Sequence, residues 1–263
     1  MELLDDDDNL AGRYRLCQIG FTLSGLALGL LSLANASRLA VIFSGQWQLQ
    51  WIFQTPLWDW GVAAPITLAS FVGSYLLWGR WREITWQRRT GLLVLMNGID
   101  VLLWAKHVLA QLPELLPGQK PPVSPHEWLE MLIIMGLGWS ELVLYASLAA
   151  DVSSQLGNEE SRSTGRAAQT LCTVGLALWA MMFLTQTDWD RWPLIAKQTP
   201  AVVMMRLGET FLMALAAFQV TILCMATARQ CRRYVRELNY EDGHELLTSR
   251  SDNPDWGQDR DRW

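Results

Sequence analysis

Six apolar stretches, each close to the length that crosses a bilayer, limit this chain more than any other feature. They are Leu16 to Phe43, Gly61 to Trp78, Gly91 to Leu109, Trp128 to Ala150, Ala167 to Leu184 and Ala201 to Thr227. An α-helix rises about 1.5 Å per residue and the hydrocarbon core is about 30 Å thick, so about 20 apolar residues suffice to span it. Lipid offers no partner to a bare N–H or C=O, and segments of this kind must close their backbone hydrogen bonds as helices. The expected fold is therefore all-α: a polytopic integral membrane protein built as a bundle of about six transmembrane helices.

Three helical hairpins would fit a faint internal match, Leu16-Cys17-Gln18-Ile19-Gly20 against Leu171-Cys172-Thr173-Val174-Gly175. Apolar helices produce such matches by chance, so the repeat decides little. Around the helical domain, 16–228, the sequence places an acidic N-terminal tail, 1–15, and a polar C-terminal tail, 229–263, expected to be disordered and cytoplasmic. The net charge of −5 comes largely from the tails, including the run Asp5 to Asp8, which reads as a solvated segment. It leaves no basic footprint for nucleic acid. No cleavable signal peptide opens the chain, so the first span is expected to be retained.

Orientation follows from basic residues, which stay on the cytoplasmic side of short connections. Arg13 and Arg15, then Arg80, Arg82, Arg88 and Arg89, then Arg162 and Arg166, then Arg229, Arg232, Arg233 and Arg236 all fall on one side of a six-span arrangement. The other side holds Arg38, Lys120, Arg191 and Lys197. Both termini are expected in the cytoplasm. The first span is longer than a bilayer requires and carries Asn35 and Arg38; it either tilts or leaves the bilayer near Arg38. Ser124, Pro125 and Glu127 make a start signal for the fourth span, as do Thr199 and Pro200 for the sixth.

The 15 tryptophans cluster at the expected interfaces. Trp47, Trp51, Trp58 and Trp60 mark an outer anchor, the first two alternating with Gln46, Gln48 and Gln50 as an extended segment would; Trp78, Trp81 and Trp86 mark the inner face. The lipid bilayer is the one partner this pattern requires. Other membrane subunits, or a second copy of the chain docking through Gly25 and Gly29, are further candidates. The cysteines, Cys17, Cys172, Cys224 and Cys231, all lie toward the cytoplasmic ends of their spans, where disulfides are not expected.

Charged residues within the bilayer cost about 2.5 to 3.5 kcal/mol each at its centre, so each needs a partner or a purpose. Asp100 and Glu141 fall near the middle of the third and fourth spans, and Arg206 and Glu209 in the outer part of the sixth. Asn97, Asp100, Trp104 and His107 share one face of the third helix, with Lys106 pointing away; Glu130, Glu141 and Tyr145 share a face of the fourth. If these faces meet, Asp100, Glu141, Arg206, Glu209, Asn97 and Tyr145 form one polar cluster, with Arg206 free to neutralise any of the acids. Such a cluster suits the movement of protons, ions or a small solute.

His107, His126 and Glu130 form a second candidate site for a metal or haem near the outer face, since His126 and Glu130 are one turn apart. No P-loop, G-x-S-x-G, H-E-x-x-H or haem-attachment motif occurs, and no enzyme class is indicated. Three functions stay open: a small transporter using the charged cluster, a non-catalytic subunit or assembly factor of a larger membrane complex, and a membrane redox component.

Overall fold

A computed structural model of the chain describes residues 10–45, 58–78, 83–111, 127–157, 159–191, 195–197 and 199–251. Six α-helices account for nearly all of them: α1 (Leu10–Phe43), α2 (Ala64–Leu77), α3 (Ile84–Gln111), α4 (Glu127–Gln155), α5 (Glu159–Gln186) and α6 (Pro200–Ser251). A π-helical turn, Asp59–Ala63, leads into α2, and a two-residue antiparallel pair, β1 (Thr187–Asp188) with β2 (Ile195–Ala196), closes the α5–α6 connection.

Five helical segments are long and apolar enough to cross a membrane: Leu10–Phe43, Trp60–Leu77, Leu132–Gln155, Arg162–Gln186 and Pro200–Tyr240. Their outer surfaces point the same way. Leu26, Leu30 and Leu33 on α1, Leu68 and Val72 on α2, Met181 and Leu184 on α5, and Phe211, Phe218 and Ile222 on α6 are all exposed. So continuous an apolar exterior is a liability in water and the normal condition in lipid. The fold is all-helical, with five helices long and apolar enough to span a membrane.

Several boundaries differ from those expected. α1 begins at Leu10, inside the presumed tail, and runs unbroken for 34 residues through Asn35 and Arg38 to Phe43. Neither residue breaks it, because Asn35 is buried in the bundle and Arg38 lies with its guanidinium 5.8 Å from the centroid of the Trp58 ring. At the other end, α6 does not stop at Thr227 but continues through 229–251, for 52 residues in all, about 78 Å at helical rise. That is more than twice the thickness of a hydrocarbon core. Its start follows the sequence signal: the Thr199 side chain accepts the Val202 N–H at 3.4 Å, and Pro200 occupies the first helical position. The corresponding signal at Ser124 and Pro125 lies outside the described residues.

The helices form a ring. Each packs on its neighbour in sequence, and the most extensive interface of all, α1 against α6, closes the circle, while α4 also crosses to α6. The ring accounts for the contacts better than separate hairpins would. Small residues bring the backbones together, as expected where packing rather than water drives association. Gly25 and Gly29 sit against Cys224, Met225 and Thr221 of α6, so this small-residue face packs within the chain. Ser32 Oγ donates to the Ala214 carbonyl at 2.8 Å along the same seam.

Between α4 and α5 the arrangement is reciprocal, Trp139 of α4 lying over Gly175 and Trp179 of α5 over Gly136. Trp86, expected at the inner headgroup belt, is instead buried at the α2–α3 corner, where its Nε1–H donates to the Leu77 carbonyl at 3.2 Å. The bond satisfies an indole N–H that would otherwise be buried without a partner.

Candidate functional site

A ladder of charged rungs joins α3 to α4. At one end Arg89 Nη1 contacts Asp151 Oδ2 at 2.5 Å and donates to Ser147 Oγ at 2.8 Å. At the other, Lys106 Nζ pairs with Glu130 Oε1. Between them the Asp100 and Glu141 carboxyls stand within hydrogen-bonding reach of each other. The two helices are antiparallel, so residue numbers rise on one as they fall on the other; the Arg89 and Asp100 rungs share a register, and Lys106 reaches about one turn further along α4 to Glu130. Two rungs pair a base with an acid. The middle one pairs two acids.

Placement of the two central carboxyls is set by their own helices. Glu141 is buried, 6% exposed, on the side of α4 that also carries Tyr145 one turn on. Asp100 is partly buried, and one turn away Asn97, at 1% exposure, gives its amide N–H to the Leu93 carbonyl at 3.0 Å. Among the described residues no donor reaches Asp100 Oδ1 or Glu141 Oε1, although both oxygens are buried. Two ionised carboxylates so placed repel; with one proton on the pair they hold each other by a hydrogen bond.

Hydroxyl groups from three helices meet one turn beyond Glu141, at Tyr145. The Tyr145 phenol, fully buried, lies 3.2 Å from both the Ser70 hydroxyl and the Ser70 carbonyl on α2. Ser24 of α1, also at 0% exposure, faces the same phenol. Ser24 and Gly73 lie where α1 and α2 approach so closely that a Cβ at position 73 would strike the Ser24 hydroxyl. Neither Ser24 nor Ser70 was expected from the sequence. The one signal available was small polar residues beside glycine, Ser24-Gly25 and Ser70-x-x-Gly73-Ser74, a pattern that helix packing alone also produces.

The other half of the expected cluster occupies a different face. Glu209 of α6, 4% exposed, accepts the Trp139 indole N–H at 3.3 Å, and Arg206, one turn before it, has its Nε 3.5 Å from the Gln186 amide oxygen on α5. Trp139 and Glu141 are two residues apart on α4, about 200° round the helix. Glu141 therefore faces α3 while Trp139 faces α5 and α6. The described interactions of Asp100, Glu141, Asn97 and Tyr145 belong to one group, and those of Glu209 and Arg206 to another, with Trp139 and Gln186 as partners that sequence patterning did not single out.

Lys106 also differs from expectation, reaching Glu130 on α4 rather than pointing away. Its long methylene stem allows the ammonium to sweep round the helix to an acid. Glu130, a candidate metal ligand, is thereby engaged by a lysine. His126 lies outside the described residues, as does the side chain of His107, and among the described residues no three His, Cys, Asp or Glu side chains cluster as a metal site would require. Of the outer anchor, Trp58 and Trp60 are described, Trp60 making an edge-to-face contact with Trp104 of α3 at 5.5 Å; Trp47 and Trp51 lie outside the described residues. The cysteines, Cys17, Cys172, Cys224 and Cys231, are all free and buried.

With this geometry in hand, comparison with known proteins adds no assignment: no family model, no curated protein and no solved structure matches the chain.

Proposed function

We propose that this chain is a six-span membrane protein with both ends in the cytoplasm, and that it moves protons through the Asp100–Glu141 pair. The observation that carries the reading is the acid–acid rung between two ion-paired rungs. A helix pair that needed only docking strength would place a base opposite Glu141, as it does opposite Asp151 and Glu130. Two facing carboxyls instead hold a proton that either can release, a property suited to transfer and poorly suited to structure alone.

Support for α3 as the sixth span comes from its outer side, where Leu92, Leu95, Leu102 and Leu109 are 48% to 70% exposed and fall on one stripe at helical spacing. Support for the orientation comes from the ends of the bundle. Tyr14 and Tyr234 meet edge to face at 4.7 Å, which brings the start of α1 to the far part of α6, and Arg13, Arg15, Arg229, Arg232, Arg233 and Arg236 surround that contact in sequence. The basic excess belongs on the cytoplasmic side.

The test is proton flux into liposomes containing the purified protein, driven by a potassium diffusion potential. Flux above protein-free liposomes is expected, with loss in both Asp100→Asn and Glu141→Gln. Flux that survives in both variants, in well-folded protein, rejects the reading.

A further inference from the structure

We infer that Tyr145, Ser70 and Ser24 form a hydroxyl relay that carries the proton between Glu141 and the cytoplasmic half of the bundle; the inference rests on the proton reading of the Asp100–Glu141 pair. The proposal names the side from which that pair is served. On α4, Tyr145 lies one turn beyond Glu141 in the direction of Asp151 and the Arg89 rung. It is the titratable neighbour of Glu141 on that side, and its hydroxyl contacts Ser70 at 3.2 Å with Ser24 beside it. All three side chains are 6% exposed or less, and they come from three different helices.

Packing alone does not account for them. Among the described residues Ser24 Oγ is buried with no well-formed hydrogen bond, only the Tyr145 phenol beside it, and alanine at this position would avoid the cost, about 1 to 3 kcal/mol, of an unsatisfied hydroxyl. Other buried hydroxyls find a carbonyl, as Thr90 does at Trp86 (2.8 Å), Thr227 at Leu223 (2.9 Å) and Ser32 at Ala214 across the α1–α6 seam (2.8 Å). Ser24 does not, which leaves its lone pairs and its proton available to the phenol. A hydroxyl that both donates and accepts can pass a proton on without a net change in its own charge.

The proton on Glu141 passes to the Tyr145 oxygen as the phenolic proton passes to Ser70 or Ser24 Oγ, whose own proton leaves to water on the cytoplasmic side. Each oxygen ends with the one proton it started with, after the hydroxyls rotate back. Both carboxyls are then ionised, and the pair is reset when Asp100 takes up a proton from the opposite side and shares it with Glu141. The reverse sequence runs the proton in the other direction.

The experiment compares flux and infrared spectra of wild-type protein with Tyr145→Phe, Ser70→Ala, Ser24→Ala and Ser70→Thr, alongside Glu141→Gln, in the same liposomes. The relay predicts at least tenfold slower flux in Tyr145→Phe and several-fold slower flux in Ser70→Ala or Ser24→Ala, with retention in Ser70→Thr, which keeps a hydroxyl. It also predicts that the C=O stretch of the protonated carboxyl, assigned by its loss in Glu141→Gln, shifts in Tyr145→Phe. Flux lost in Glu141→Gln but unchanged in Tyr145→Phe, Ser70→Ala and Ser24→Ala overturns the relay and leaves the carboxyl pair in place. Wild-type flux no greater than that of empty liposomes overturns both. Should Tyr145→Phe fail to fold, the two serine variants, each losing one oxygen atom, decide the matter by the same criteria.

Discussion

The Asp100 carboxyl on α3 faces the Glu141 carboxyl on α4 at a position where the same two helices, one rung away on either side, join acid to base. An amide at position 100 keeps the shape of the aspartate and offers N–H donors to Glu141 Oε1, which otherwise has no partner. Asp100→Asn is therefore expected to unfold in detergent at a temperature no lower than wild type, even as it loses proton flux. Glu141→Ala, which empties a buried site, is expected to cost about 2 kcal/mol. A larger loss for Asp100→Asn than for Glu141→Ala would mean that the rung is held by charge, contrary to this view.

Glu209 supplies a second stability test. Its Oε1 accepts the Trp139 indole N–H at 3.3 Å, and both side chains are buried. Truncation to alanine strands that N–H, at a cost of about 1 to 3 kcal/mol, while glutamine keeps an acceptor in place and costs less. Chemical unfolding in mild detergent measures the difference. Equal costs for the two variants would show that the hydrogen bond contributes nothing.

The reciprocal Trp–Gly packing of α4 and α5 leaves no room for a methyl group. At Gly136 an added Cβ would come within 2.6 Å of the Trp179 ring, and at Gly175 it would run into Trp139. Alanine at either site is expected to destabilise the protein by about 1 to 3 kcal/mol, since a rigid indole must move to admit it. Gly61, where an added Cβ meets nothing within 4 Å, is the matched control and should tolerate alanine with far less change in thermal midpoint.

The Arg89–Asp151 pair is 37% and 47% exposed at its side chains, so its coupling is expected to be small. A double-mutant cycle with Arg89→Ala and Asp151→Ala should return about 0.5 to 1 kcal/mol, the upper end reflecting the added bond to Ser147. A coupling of several kcal/mol would place the pair in a much drier setting than this.

The proposed orientation can be checked by thiol labelling in sealed membranes. All the native cysteines are buried, so background labelling should be low. Cysteine placed at the exposed positions Arg233→Cys and Trp189→Cys should react with an impermeant reagent from opposite sides, the former only after the cytoplasmic face is opened. Labelling of both from the same side would refute the six-span arrangement.

Much of the fold was legible in the chain. Length and apolarity mark five of the six helices strongly, because a backbone in lipid has so few ways to satisfy its hydrogen bonds, and mark α3 less. The ends were less clear. α1 and α6 extend beyond the apolar stretches that announce them, since helix formation outside the bilayer depends on packing such as Tyr14 against Tyr234, which composition does not reveal. Helical periodicity put Asp100 with Asn97 and Glu141 with Tyr145 on shared faces. It could not say which helix each face meets.

That choice belongs to the tertiary structure. The sequence by itself determined that charge lies inside an apolar helical bundle, because hydrocarbon makes any such residue conspicuous. Only the packing decided that Asp100 meets Glu141, that Glu209 turns to Trp139, and that Lys106 reaches Glu130. The physical reason is that a helix face fixes a direction but not a neighbour. The neighbour is set by where glycines let backbones close, as at Gly73 and Ser24, and these contacts join residues far apart in the chain.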